Sequence, residues 1–110
     1  MAGPGRAEIE VEALDAMLKG GQPVAILDVR EPWEVDLCSI DGSITIPLGQ
    51  LPRHAAGLPT DRPLVGVCHH GFRSAQAVSW LRFQGFDRAV NLAGGIDAWA
   101  RRIDPTMKVY

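Results

Sequence analysis

Apolar and polar positions alternate along this chain in a way that predicts strands and helices in turn. Ile9 and Val11 interleave with Glu8, Glu10 and Glu12, the two-residue period of a half-exposed edge strand. Ala13, Leu14, Met17 and Leu18 then recur at helical spacing, and Gly20-Gly21 ends that helix. Val24-Ala25-Ile26-Leu27 is a continuous apolar run, the pattern of a parallel strand buried on both faces, and it presents Asp28 and Arg30 at its carboxyl end. Pro32 opens a short helix to about Leu37, with Glu31 and Glu34 near its positive end. Asp41-Gly42 marks a turn, and Ile44-Thr45-Ile46 is a short strand that stops at Pro47. Leu48 to Leu58 reads as a loop with one or two helical turns, and the prolines Pro59 and Pro63 mark a connector.

A second buried run, Leu64-Val65-Gly66-Val67, ends at Cys68. Ala75, Val78 and Leu81 place a helix over Ser74 to Gln84, closed by Gly85 with Phe86 positioned to touch Leu81. Val90-Asn91-Leu92 forms a last strand, and Ile96, Trp99, Ala100 and Ile103 make the apolar stripe of a final helix. Trp33, Trp80 and Trp99 fall on three of these helices and are read as core packing. Strands alternating with helices predict an α/β fold, a mainly parallel five-stranded sheet with helices on both faces. A chain of 110 residues suits one domain, taken as 9–110 behind a flexible segment 1–8.

Composition narrows the partners. A net charge of −2 leaves no basic excess for nucleic acid or an anionic membrane surface. No stretch approaches the ~20 apolar residues of a membrane span. Met1-Ala2-Gly3-Pro4-Gly5-Arg6 is polar and followed by no apolar export segment, so the expected location is cytoplasmic. Cys38 and Cys68 form neither a disulfide framework nor a C-x-x-C pair and are expected to be free. His54, Cys68, His69 and His70 match no recognised zinc spacing, so no metal is expected, and His54 is read as a solvated loop residue.

Chemistry concentrates after the second buried run. Cys68 stands at the carboxyl end of a predicted central strand, where open α/β sheets bind ligands. The helix that follows points its first N–H groups back at the loop, and Arg73 adds a fixed positive charge. Both favour a thiolate, which makes Cys68 a candidate nucleophile rather than a small buried hydrophobe. Asp28 and Arg30 end the neighbouring strand, where an ion pair would serve structure.

Cys68-His69-His70-Gly71-Phe72-Arg73-Ser74 resembles the active-site loop of the rhodanese, or sulfurtransferase, family, in which a cysteine and an arginine bracket four residues. Leu27-Asp28-Val29-Arg30-Glu31-Pro32-Trp33-Glu34 resembles that family's D-V-R-E-P-x-E signature, and Leu92-Ala93-Gly94-Gly95-Ile96-Asp97-Ala98-Trp99 its G-G-x-x-x-W signature. Where the family usually reads G-H-I-P-G-A, this chain has Cys38-Ser39-Ile40-Asp41-Gly42-Ser43, which keeps the turn glycine and lacks the histidine.

The resemblance implies a double displacement. Cys68 takes the outer sulfur of a donor such as thiosulfate as a persulfide and passes it to cyanide, a small thiol or a protein thiol. His69, His70, Gly71, Phe72 and Arg73 would bind substrate, with Asp28, Arg30 and Ser74 in support and no cofactor. Two rivals stand beside it. Cysteine phosphatases also use a Cys…Arg loop, but with five intervening residues where this chain has His69, His70, Gly71 and Phe72, and a phosphoryl group needs a wider ring of donors than one sulfur does. The other rival is a binding module that keeps the fold without catalysis, against which the intact Cys68 argues.

Overall fold

The structure, a computed structural model, describes residues 7–110. Met1 to Arg6, most of the segment expected to be flexible, lie outside the described residues. Five strands, β1 (Glu8–Ile9), β2 (Ala25–Asp28), β3 (Ile44–Thr45), β4 (Leu64–Val67) and β5 (Ala89–Leu92), form one wholly parallel sheet in the order β1-β5-β4-β2-β3. Parallel pairing needs crossovers. The helices α1 (Val11–Lys19), α2 (Pro32–Leu37), α3 (Leu51–His54), α4 (Phe72–Phe83) and α5 (Gly95–Arg102) supply them, as the alternating pattern predicts.

All four residues of β4 are buried, because this strand is central and covered on both faces. On one face Leu27, Leu64 and Ala89 pack with Leu51, Ala55 and Leu58 and with Ala77, Val78 and Leu81 of α4. On the other, Ile26, Val65, Val67 and Leu92 meet Val11 and Leu14 of α1 and Ile96 and Trp99 of α5. The chain leaves β2 towards one sheet edge through β3 and returns as β4 on the other side of β2. That reversal opens a crevice at the carboxyl ends of β2 and β4, where Asp28 lies in register with Val67.

Three expectations need correction. Val11 does not continue the edge strand: it opens α1, because Val11 and Leu14, three residues apart, both reach zero exposure on a helical face. Helix α4 starts at Phe72 rather than Ser74, since the carbonyl of Gly71 already accepts the Ala75 N–H at 3.2 Å. Trp33 is not core: it is 62% exposed, and its ring meets that of Tyr110 edge-on with centroids 6.1 Å apart.

The end of α4 follows its sequence signal. Phe86 N–H bonds to Leu81 O at 3.0 Å and Gly85 N–H to Arg82 O at 3.1 Å, the paired bonds of a Schellman ending. No helix among the described residues is long and apolar enough to cross a membrane.

The two sides of α4 give a stability test. Leu81 has zero exposure and Phe83 is 87% exposed. Urea denaturation is expected to show Leu81→Ala less stable by about 2–5 kcal/mol. Phe83→Ala should change stability by no more than about 0.5 kcal/mol.

Candidate active site

Cys68 follows the last residue of β4, and its side chain is 1% exposed. The chain then turns sharply through Gly71, at φ 105, so that the Gly71 N–H points back at Cys68 Sγ at 3.1 Å. Ser74, one turn into α4 and wholly buried, places its hydroxyl 3.3 Å from the same sulfur. The first N–H groups of α4 have no intrahelical acceptor and face the loop. The Gly71 N–H is thus a donor aimed at the Cys68 sulfur.

The loop's carbonyls are held by a second helix. Ile96 N–H donates to Cys68 O at 2.8 Å and Asp97 N–H to His69 O at 3.1 Å, so the amino terminus of α5 caps the backbone on which the cysteine sits. Contact this close requires glycine. Gly95 has φ 60, and a Cβ there would collide with the carbonyls of Cys68 and His69. The Gly94-Gly95 pair of the sequence therefore fixes the loop from beneath.

Arg73 does not stand free over the thiol. Its two terminal nitrogens bond to the two carboxylate oxygens of Glu34 on α2, each at 2.7 Å. Glu34 is 3% exposed and also accepts from Glu31 N–H at 2.9 Å and from the Tyr110 hydroxyl at 2.8 Å. The Arg73 guanidinium, helped by those two donors against burial, holds the Glu34 carboxyl down to about 2. Glu34 in turn holds the Arg73 proton more firmly than usual.

Asp28 and Arg30 are buried completely or nearly so and pair at 2.7–3.1 Å. Neither bonds to Cys68. Arg30 instead reaches Cys38 O at 2.7 Å, Glu34 O at 3.2 Å and the Tyr110 hydroxyl at 3.0 Å, and its guanidinium lies 3.9 Å from Cys38 Sγ. Burial opposes the charge on Arg30, and its bonds to Asp28 and Tyr110 outweigh that opposition. Tyr110 accepts from Arg30 and donates to Glu34, which joins the two ion pairs in one chain, and burial pushes its hydroxyl up to about 12.

The tyrosine ring also lies flat on His69, centroids 3.8 Å apart at 4°, and His69 stacks on His70 at 4.0 Å and 29°. His70 is half exposed, 4.0 Å from Asp97. His69, His70 and Asp97 bring donor atoms within 4.8 Å of one another. Ring stacking of His69 on His70 and the approach of His70 to Asp97 hold the three side chains together. Phe72 lies on the rim, 80% exposed.

A rhodanese-like domain model matches residues 10–102. The chain belongs to the rhodanese-like domain family. It is 38% identical over 94 residues to a sulfurtransferase of Allochromatium vinosum, covering 86% of this chain and 88% of that one. It is also 42% identical over 95 residues to MoeZ of Mycobacterium tuberculosis, a probable adenylyltransferase/sulfurtransferase, covering 84% of this chain and 24% of the relative. The rhodanese-like domain thus spans about a quarter of that relative. Among solved structures, a rhodanese-related protein of Thermoplasma volcanium superposes with a TM-score of 0.80 at 36% identity, over 89% of this chain and 93% of that one.

Of the residues singled out from sequence, Gly71 and Ser74 meet the Cys68 sulfur, Arg73 turns to Glu34, and His69 and His70 stack on each other. Asp28 and Arg30 pair with each other, and Arg30 ties the end of β2 to Glu34, Cys38 and Tyr110. Glu34, Asn91 and Tyr110 carry contacts that sequence reasoning did not assign. Glu34 stood within a quoted signature, and Asn91 is a polar residue inside an apolar strand, whereas nothing near Tyr110 marked it.

The Glu34 contact makes stability depend on pH in a defined window. The folded carboxyl titrates near 2 against an ordinary 4.5, so the unfolded chain takes up the proton first and the stabilisation is lost as pH falls between those values. Glu34→Gln is expected to be less stable than the parent by up to about 3 kcal/mol at neutral pH, with the gap closing as acid protonates the parent. Urea denaturation across that pH range reads it.

Proposed function

We propose that this domain transfers sulfane sulfur through a persulfide on Cys68, with thiosulfate as a competent donor. The observation that supports it best is the Gly71 N–H aimed at the sulfur of buried Cys68, at 3.1 Å from Sγ. In the first step the Cys68 thiolate attacks the outer sulfur of thiosulfate, the S–S bond breaks, and its electron pair leaves with sulfite. The charge that was on Sγ now rests on the outer sulfur of the persulfide. In the second step a nucleophile such as cyanide or a thiolate attacks that outer sulfur and restores the Cys68 thiolate.

Each neighbour has a role in this reading. The loop and first-turn N–H groups of α4 cradle the outer sulfur and need no reorganisation to do so. His69, whose Nε2 is buried without a hydrogen-bond partner among the described residues, contacts the incoming donor, and half-exposed His70 meets it at the mouth with Phe72. Arg73 positions the loop through Glu34 and leaves only part of its charge to attract an anion. The chemistry calls for no metal or organic cofactor, because the sulfur itself is the group carried. A protein thiol fits the exposed rim as well as a small acceptor does, and the expected cytoplasmic location would supply either.

Intact-mass measurement tests the reading directly. Thiosulfate is expected to add the mass of one sulfur atom and cyanide to remove it, with Cys68→Ser abolishing the addition and Cys38→Ser sparing it. Sulfur loading that persists in Cys68→Ser would overturn the assignment.

Loop size separates sulfur transfer from phosphate chemistry. One glycine inserted between Gly71, which is buried, and exposed Phe72 widens the ring and is expected to cut sulfur transfer by an order of magnitude or more, with urea denaturation reading separately whether the fold is kept. A parent protein that hydrolyses aryl phosphates and an insertion that leaves sulfur transfer intact would favour the phosphatase reading.

A further inference from the structure

Behind Cys68 lies a set of buried polar groups that share one proton between two acceptors. Ser74 Oγ is 3.3 Å from Cys68 Sγ and also within hydrogen-bond distance of Asn91 Oδ1, and none of the three residues is more than 3% exposed. A hydroxyl has a single proton to give. The Asn91 amide decides where it goes. Its Nδ2 donates to Gly71 O at 3.0 Å and faces Glu8 Oε2 at 3.4 Å, so turning the amide over would set Oδ1 against a carbonyl and a carboxylate. Oδ1 only accepts, and it faces Ser74. The Ser74 proton is therefore held by Asn91, and a hydroxyl lone pair is turned towards Cys68.

That lone pair suits a thiol, whose S–H can donate to it, and opposes a thiolate. Bringing the Ser74 proton round to a charged Sγ would leave a buried amide oxygen without a partner, which is costly. The Gly71 N–H acts in the other sense, donating to Sγ whatever its charge. We propose that Asn91 is a positioning residue which, through the Ser74 hydroxyl, restrains ionisation of Cys68 and so sets the pH range over which the free thiolate forms. This rests on the reading of Cys68 as the nucleophile and deepens it. Once a sulfur is loaded, the negative charge sits on the outer sulfur and Sγ is neutral, so the conflict with the Ser74 lone pair disappears. Asn91 thereby disfavours the free thiolate relative to the loaded form.

Other charges act on the same sulfur. They are His69 and His70 in its own loop, Arg73 on α4 with its partner Glu34 from α2, and Asp97 from α5. Tyr110, the Asp28–Arg30 pair at the end of β2 and Glu8 of β1 behind Asn91 complete the surroundings. All are present in every variant compared below; the Asn91 variants also lose the amide that faces Glu8, and Asn91→Asp adds a carboxylate of its own, so each is read with and without the Ser74 hydroxyl.

The readout is the rate of Cys68 alkylation by iodoacetamide against pH, in a Cys38→Ser background. It uses no sulfur donor, so failed sulfur transfer and failed coupling are told apart. Asn91→Ala frees the Ser74 proton for Sγ and is expected to move the alkylation midpoint down by about one pH unit. Asn91→Asp, close to isosteric and protecting the test if the alanine variant does not fold, holds the proton more tightly and is expected to move the midpoint up further with the Ser74 hydroxyl present than in a Ser74→Ala background, where only the field of the added carboxylate acts. With Ser74→Ala already in place, adding Asn91→Ala should produce no further shift. An unchanged or raised midpoint in Asn91→Ala, or a lowered one in Asn91→Asp, would overturn the proposal. So would an equal shift with and without the Ser74 hydroxyl, which would assign the effect to the Asn91 bond to Gly71 O.

Discussion

The bond from the Gly71 N–H to Cys68 Sγ depends on a loop that is pinned at both ends, and most of the fold is arranged to pin it. Such a tight return leaves the carbonyls of Cys68 and His69 pointing away from the sulfur, where they need donors of their own. The amino terminus of α5 provides them through Ile96 and Asp97. Two helix amino termini thus meet one loop, α4 from the sulfur side and α5 from the carbonyl side. The parallel sheet makes this possible, because every crossover helix begins at the carboxyl end of a strand.

Charge imposes the second constraint. Arg30 is fully buried, where an unpaired guanidinium would be expensive, and Arg73 is partly exposed. Each has a carboxylate with matching geometry, Asp28 for the first and Glu34 for the second, and Tyr110 links them by accepting from Arg30 and donating to Glu34. The direction of that link follows from the hydroxyl's single proton: guanidinium can only donate and carboxylate only accept. The chain of groups ties β2, α2 and α4 to Tyr110, whose ring then lies on His69. A change in the ion pairs would be felt at the wall of the cysteine pocket without passing through the core.

Sequence carried the architecture because burial leaves a periodic trace. The runs at 24–27 and 64–67, the Gly85-Phe86 ending of α4 and the stripe of α5 each reflect a local rule that the packed protein obeys. Val11 was misplaced because two residues of alternation weigh little against a helical face completed by Leu14. Trp33 was misplaced because ring size suggests burial and says nothing about which side of a six-residue helix faces the core. At the site, the loop was legible because its parts are adjacent in sequence. Glu34, Asn91 and Tyr110 were not assigned, because their contacts join residues 39, 17 and 76 positions apart or connect to backbone atoms.

Burial of Cys68 has its own consequence for selectivity. With Cys68 only 1% exposed as a residue, a donor reaches the thiol through a terminal atom more readily than through a bulky centre. On the proposed reading, a sulfane sulfur satisfies this because it is terminal and unencumbered, whereas a phosphorus bearing three oxygens is not. The persulfide then moves the reactive atom one bond length outward, towards the rim where Phe72 and His70 are exposed, so the second substrate meets a more open site than the first. On that reading the donor meets the sulfur at its deepest and the acceptor meets it one bond nearer the rim.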